Sequence, residues 1–339
     1  MVTFNRRTFT TLVAAGAVAA SLPGQVQAKG QTQVGNPLGP IRNVRTDLLS
    51  IAYHDAGPAD GPVILLGHGW PYSPQAFVEV VPRLVRRGYR VLTPYLRGHG
   101  GTRFLSSDTL RSGQQAALGS DVIDFLDALD IPRAIFAGYD WGGRAFCVAA
   151  ALWPDRCAGL VSVNSYLVQN LDPVVAKMPV APSIEAAQWY FDYFTTERGK
   201  TGLALNTKEL ARVVWTKNSP TWDFTEGDLD RAAELFDNPD YVDVVVHVYR
   251  HRRLTEAGDP RYDALEARLR KLPVITVPAV TLDGIDDGNF PANDGTASAK
   301  FFAGPRVHHQ VPGAGHNLPQ ERPRAFFNAI LEVTRLPRR

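Results

Sequence analysis

The sequence predicts an α/β fold: a mostly parallel sheet flanked by helices, with a helical segment inserted in its core. Short apolar runs that end in glycine or polar loops recur as "PVILLGHG" (62–69), "YRVLTPYLRGHGGT" (89–102) and "RAIFAGYD" (133–140). Between them lie segments such as "ALGSDVIDFLDAL" (117–129), with apolar residues three and four apart, the helical period. Continuous apolar strands alternating with helices imply a parallel sheet covered on both faces. From about residue 166 the character changes. "SIEAAQWYFDYFTTERG", "TKELARVVWTK" and "NPDYVDVVVHVYRHRR" are rich in aromatics and charge and read as helices and loops. "YVDVVVHVY" has the β-branched content of a strand, but its neighbours favour helix. The first pattern then returns in "ITVPAVTLDGIDDG", in "RVHHQVPGAGHNLP" and in the helix "ERPRAFFNAILEVTR". The division expected is a first core part over 45–165, a helical cap over 166–270 and a second core part over 271–339.

The 339 residues are 45% hydrophobic and 21% charged, enough for one large core plus a smaller lobe. A net charge of +2, with acids and bases spread along the chain, gives no footprint for nucleic acid. Residues 1–28 have a charged start, a short apolar run and a small residue, Ala28, at a cleavage point. This is the anatomy of an export signal, too short to anchor in a membrane. Arg6 and Arg7, followed by Thr8 and Phe9, resemble a twin-arginine leader. A periplasmic or secreted protein starting near Lys29 is expected. Cys147 and Cys157 make no disulfide framework, and no Cys/His cluster has metal-ligand spacing, so neither metal nor cofactor is expected. The oligomeric state is left open.

The chemistry centres on "GYDWGG". Gly138 and Gly142 flank Asp140 two residues away on each side, and Gly143 continues the close approach. This is the outline of a strand-to-helix elbow that presents a nucleophile, with an acid where serine would be expected. The plain alternative is an Asp N-cap. A carboxylate is already anionic near neutral pH and can displace a leaving group at saturated carbon, giving an enzyme-bound ester. Hydrolysis of that ester needs a base to activate water. His316 in "GAGHNLP" is the candidate base, oriented by Asp287 in "LDGIDDG", with Asp286 and Asp283 as rivals. The order nucleophile, acid, histidine is that of α/β-hydrolases. Backbone N–H groups of Trp141 and of Trp70 in "GHGWP" are the expected oxyanion donors, with a cis peptide before Pro71.

Taken together, "HGWP", "GYDWGG", "DGIDDG" and "GAGHNLP" resemble the α/β-hydrolase superfamily and, within it, epoxide hydrolases and haloalkane dehalogenases, from about residue 45 onward. The resemblance to epoxide hydrolases implies that two cap tyrosines bind the epoxide oxygen. Tyr190 in "QWYFDYF", with Tyr193 as its rival, and Tyr249 in "VHVYRHR" stand where that family places them; the plain alternative is core packing. His68, Pro71, Trp189, Tyr193 and Phe194 are expected to line the pocket. Trp70 stands where many haloalkane dehalogenases carry asparagine for the halide. Arg144 matches one of two arginines with which fluoroacetate dehalogenases grip a carboxylate; Trp141 stands in place of the other, and their cap His-Trp pair is missing. The expected activity is opening of a small epoxide to a vicinal diol through an Asp140 ester. Dehalogenation by the same nucleophile, or a binding protein with a dead site, are the other readings.

Overall fold

A computed structural model describes residues 36–337; the expected export leader lies outside them. Nine strands form one sheet: β1 (Ile41–Arg45), β2 (Leu49–Ala56), β3 (Val63–Gly67), β4 (Arg90–Pro94), β5 (Arg103–Phe104), β6 (Ala134–Gly138), β7 (Cys157–Val163), β8 (Ala279–Gly284) and β9 (Arg306–Val311). Their order is β1-β2-β4-β3-β6-β7-β8-β9, with β5 paired to β2. β2 runs antiparallel to both β1 and β4, and every pairing from β4 to β9 is parallel. The sheet therefore starts at Ile41, slightly ahead of residue 45.

Side chains alternate across the sheet because a strand repeats every two residues. Leu65, Phe136 and Leu160 point into one core, shared with Ala116, Leu126 and Val148 from the helices Gln115–Ala128 and Asp140–Leu152. Ile64, Leu66, Ile135, Ala137, Val161 and Val163 point into the other, shared with Phe77, Leu84, Phe326 and Ile330. Both faces are covered, which is why the central strands read as unbroken apolar runs rather than as alternating ones.

Between β7 and β8 the chain leaves the sheet and forms the helices Trp189–Tyr193, Glu197–Leu205, Thr207–Asn218, Glu226–Ala233 and Tyr241–Arg252. "YVDVVVHVY" is helical, with Tyr241, Val244, Val245, Val248 and Tyr249 buried at helical spacing. The helix Asp263–Leu269, expected in the cap, packs instead on the core helix Gln115–Ala128. The Glu266 carboxylate there accepts from the Ala116 N–H at 3.0 Å and from Gln115 Nε2 at 3.3 Å. Both cysteines are buried free thiols.

Candidate active site

Asp140 sits where β6 turns into the helix Asp140–Leu152, at φ = 50°. Positive φ strains a side-chain-bearing residue and persists only where its surroundings impose it. They do so here through close approach. A Cβ on Gly142 would lie 2.3 Å from the Gly67 carbonyl carbon, so the helix can meet β3 only with glycine at that point. One on Gly69 would lie 2.6 Å from the Asp140 Cβ.

Asp140 Oδ1 accepts the Trp70 backbone N–H at 2.7 Å, and the Trp70–Pro71 peptide is cis. Asp140 Oδ2 faces His316 Nε2 at 3.4 Å. On the other side of that ring, Nδ1 meets Asp287 Oδ2 at 2.8 Å. Asp287 is itself fixed: its Oδ1 accepts the N–H groups of Asn289 (2.8 Å) and Phe290 (2.9 Å), and its Oδ2 accepts Asn164 Nδ2 (3.0 Å). Its rivals are engaged elsewhere. Asp283 Oδ2 accepts from the Asn293 amide nitrogens, and Asp286 accepts from Thr221 Oγ1 at 3.2 Å. The Trp141 N–H lies in the first helical turn, with no acceptor among the described residues.

Burial pushes Asp140 up, but the hydrogen bond and charge of His316, the Arg144 cation and the Trp70 N–H outweigh it, and the net direction is downward. For His316, burial opposes the charged form, while Asp287 and Asp140 on its two sides favour it and push it up to about 10. At rest this site is an imidazolium between two carboxylates.

The cap closes over this arrangement with aromatic rings. Tyr190 and Tyr249, both buried, meet edge to face at 5.5 Å and 85°, and each packs on Trp70, at 5.5 and 5.6 Å. The Tyr190 hydroxyl accepts Asn289 Nδ2 at 3.1 Å, which leaves its own hydrogen free to point elsewhere. Burial pushes both phenols up, so both keep their protons. Tyr193 lies in the layer behind: its ring packs on Trp189 at 5.5 Å and its hydroxyl rests against Gly202. Phe194 is fully buried against Trp70 and Tyr249, and Trp189 is half-buried beside Tyr190. The Pro71 carbonyl accepts the Trp215 indole N–H at 3.0 Å. The Trp70 indole N–H is spent on the Tyr241 hydroxyl at 2.8 Å.

His68, expected as pocket lining, is fully buried with both ring nitrogens in use: Nδ1–H donates to the Gly69 carbonyl (2.9 Å) and Nε2 accepts the Leu96 N–H (3.3 Å). Burial lowers its pKa to about 4, so it is a neutral pin for the loop. Three residues escaped the sequence reading. Asn164 and Asn289 support Asp287 and Tyr190 from loops, where nothing in the local pattern marks them. Arg252 lies three residues after Tyr249 on the same helix, a spacing that puts the two on one face.

The sequence profile of the alpha/beta hydrolase fold matches residues 62–323. Epoxide hydrolase A of Mycobacterium tuberculosis is 24% identical over 319 residues, 86% of this chain and 96% of that protein. A solved Klebsiella pneumoniae protein classed as a candidate epoxide hydrolase is 42% identical, with a TM-score of 0.85 over 87% of this chain and 97% of its own. Epoxide hydrolase A from Mycobacterium thermoresistibile shares the fold at 22% identity, with a TM-score of 0.65 over 88% of this chain and 99% of its own. The chain belongs to the α/β-hydrolase fold family and is an epoxide-hydrolase-like enzyme within it.

Proposed function

We propose that the enzyme opens an epoxide to a vicinal diol through an ester on Asp140. One observation carries the reading: two protonated phenols from separate cap segments, Tyr190 and Tyr249, converge beside Trp70, whose N–H holds Asp140. Halide departure has less support, because the Trp70 indole N–H, a natural halide donor, is held by Tyr241.

In the first step Asp140 Oδ2 attacks an epoxide carbon. The C–O bond breaks, and the released oxygen takes a phenolic proton to become a hydroxyl. Asp140 is now a neutral ester, so one of the two anions that hold the His316 proton has gone. His316 gives up that proton, which restores the phenol. The neutral imidazole, oriented by Asp287, then takes a proton from water as the water attacks Cγ of Asp140. The Trp70 N–H, joined by that of Trp141, receives the charge that develops on Oδ1. Collapse releases the diol, with Asp140 anionic and His316 cationic as at the start. Water and epoxide are the only reactants consumed.

A single turnover in ¹⁸O-labelled water tests this. The first diol released should carry no label and Asp140 should carry it; label in that first diol refutes the ester. Replacing His316 with Gln should trap the adduct as added mass on the protein. We read residues 1–28 as a twin-arginine export leader; an exported protein that retains Met1 would contradict that.

A further inference from the structure

A cavity of about 320 Å³ has a lining that includes Arg144, Arg252, Phe290, Gln188 and Leu171. Asp140, His316, Tyr190 and Tyr249 are not in that lining; the cavity approaches them through two of its residues. The Phe290 ring stacks on the His316 ring at 5.6 Å and 22°. Arg144 follows Asp140 by one helical turn, and helical side chains lean toward the N-terminus, which here is the Asp140 end.

Two cations face this cavity without an anion. Arg144 is nine-tenths or more buried, forms no hydrogen bond or ion pair with any described residue, and has a buried Nε without a partner. The Arg252 guanidinium stacks over the Phe191 ring at 4.2 Å. With the Gln169 amide turned so that its oxygen faces the guanidinium, two of the Arg252 nitrogens reach that neutral side chain, at 3.1 and 3.2 Å. Its neighbours differ: Arg250 pairs with Glu197 and Glu256, and Arg253 with Asp192 and Glu185. Burial and the nearby Arg144 cation push Arg252 below the usual arginine range. A buried cation left unpaired costs stability, and an apolar side chain of similar volume would pack there more favourably. Packing does not account for this pair; a ligand anion does.

We propose that the cavity is a carboxylate subsite in which Arg144, from the nucleophile's helix, and Arg252, from the cap, together hold the acid group of a short epoxy carboxylic acid while its ring lies over Asp140. The choice of carboxylate rests on the planar guanidinium fork, which matches a carboxylate with two parallel hydrogen bonds, and on the partly aliphatic wall around it, including Leu171 and the more exposed Val175 and Met178. The single helical turn between Asp140 and Arg144 limits the acid to a few carbons from the ring. The second guanidinium thus comes from the cap, and Trp141 can keep the position after the nucleophile.

The substrate assignment rests on the epoxide reading, and the test separates the two. Epoxyhexanoates with the ring at carbons 2,3, 3,4, 4,5 or 5,6 are compared with their primary amides on the wild type and on Arg144→Gln and Arg252→Gln. Binding of plain hexanoate and hexanamide is measured by calorimetry on the same proteins. For at least one ring position, kcat/KM for the acid should exceed that for the amide about ten- to hundredfold, the range of charge-assisted hydrogen bonds. That ratio should fall toward unity in the variants. Arg252 is less deeply buried than Arg144, so its variant keeps the test open if Arg144→Gln does not fold. Amides opened as fast as acids, or a ratio unchanged in Arg252→Gln, overturn the subsite and leave the epoxide reading standing. If no epoxide is opened, hexanoate binding that Arg252→Gln abolishes and hexanamide does not share supports the subsite and sinks the epoxide reading. Absence of hexanoate binding in that case overturns the subsite as well.

Discussion

Asp140→Asn isolates the charge that the mechanism switches on and off. Asp140 Oδ2 lies 3.4 Å from His316 Nε2. Two unit charges at that distance, at an effective dielectric of about 20, interact by about 5 kcal/mol, which is worth roughly 3 to 4 pH units on the histidine. His316 is held up to about 10 with both carboxylates present. In Asp140→Asn, where only Asp287 keeps its charge, His316 should titrate near neutrality, the range a general base requires. The neutral ester should have the same effect in the wild type, so the asparagine variant stands in for the intermediate. Ring ¹³C and ¹⁵N shifts of His316 followed by NMR between pH 5 and 11 would measure both proteins. A wild-type His316 that titrates near 6.5, or a variant whose His316 stays protonated above pH 9, would refute the charge-switch argument.

Tyr190→Phe and Tyr249→Phe should each lower kcat by about 10²-fold or more with a smaller change in KM, and the double variant should approach inactivity, as read by diol release. Gly69→Ala places a Cβ 2.6 Å from the Asp140 Cβ and 2.9 Å from its Oδ1, so it should cut kcat/KM on the order of 10²-fold while circular dichroism stays native-like. Stability should follow the triad's charge. His316 binds its proton more tightly folded than unfolded, so its contribution is complete below about pH 6.5 and is lost as pH rises through about 10. Asp140 is shifted downward, so its contribution is complete above about pH 4 and is lost in acid. The Tm difference between wild type and His316→Gln should therefore be largest between pH 4 and 6.5 and shrink toward pH 10.

The layered sheet and the elbow were legible because their causes are local. A strand buried on both faces must be apolar throughout, and a helix packed so close to β3 that a Cβ at 142 would lie 2.3 Å from the Gly67 carbonyl carbon demands glycine there. Asp287 stands ahead of Asp286 and Asp283 in the sequence, but the pattern keeps both rivals open, since only the fold of their loop decides which carboxylate meets His316. Tyr190 and Tyr193 posed the same difficulty: three residues apart on a short aromatic helix, they differ in what packs behind them. What holds the "HGWP" histidine is not legible in the sequence, because its partners, the Gly69 carbonyl and the Leu96 N–H, are backbone groups that leave no mark there. Arg252 was invisible for the opposite reason: what sets it apart from Arg250 and Arg253 is the lack of a carboxylate opposite it.

The end of the cap helix Thr207–Asn218 bears on how far this enzyme can be re-engineered by exchanging modules. The Asn218 carbonyl accepts both the Gly288 N–H (3.0 Å) and the His316 N–H (3.2 Å), so one cap atom joins the loop that carries the acid to the loop that carries the base. Gly288 is confined by the same contact, since a Cβ there would sit 2.0 Å from the Lys217 carbonyl oxygen. A foreign cap grafted between β7 and β8 to change specificity would have to reproduce this joint. Grafts that keep the 207–218 helix and replace the remainder should retain an aligned His316, whereas whole-cap exchanges should lose turnover before they gain a new substrate.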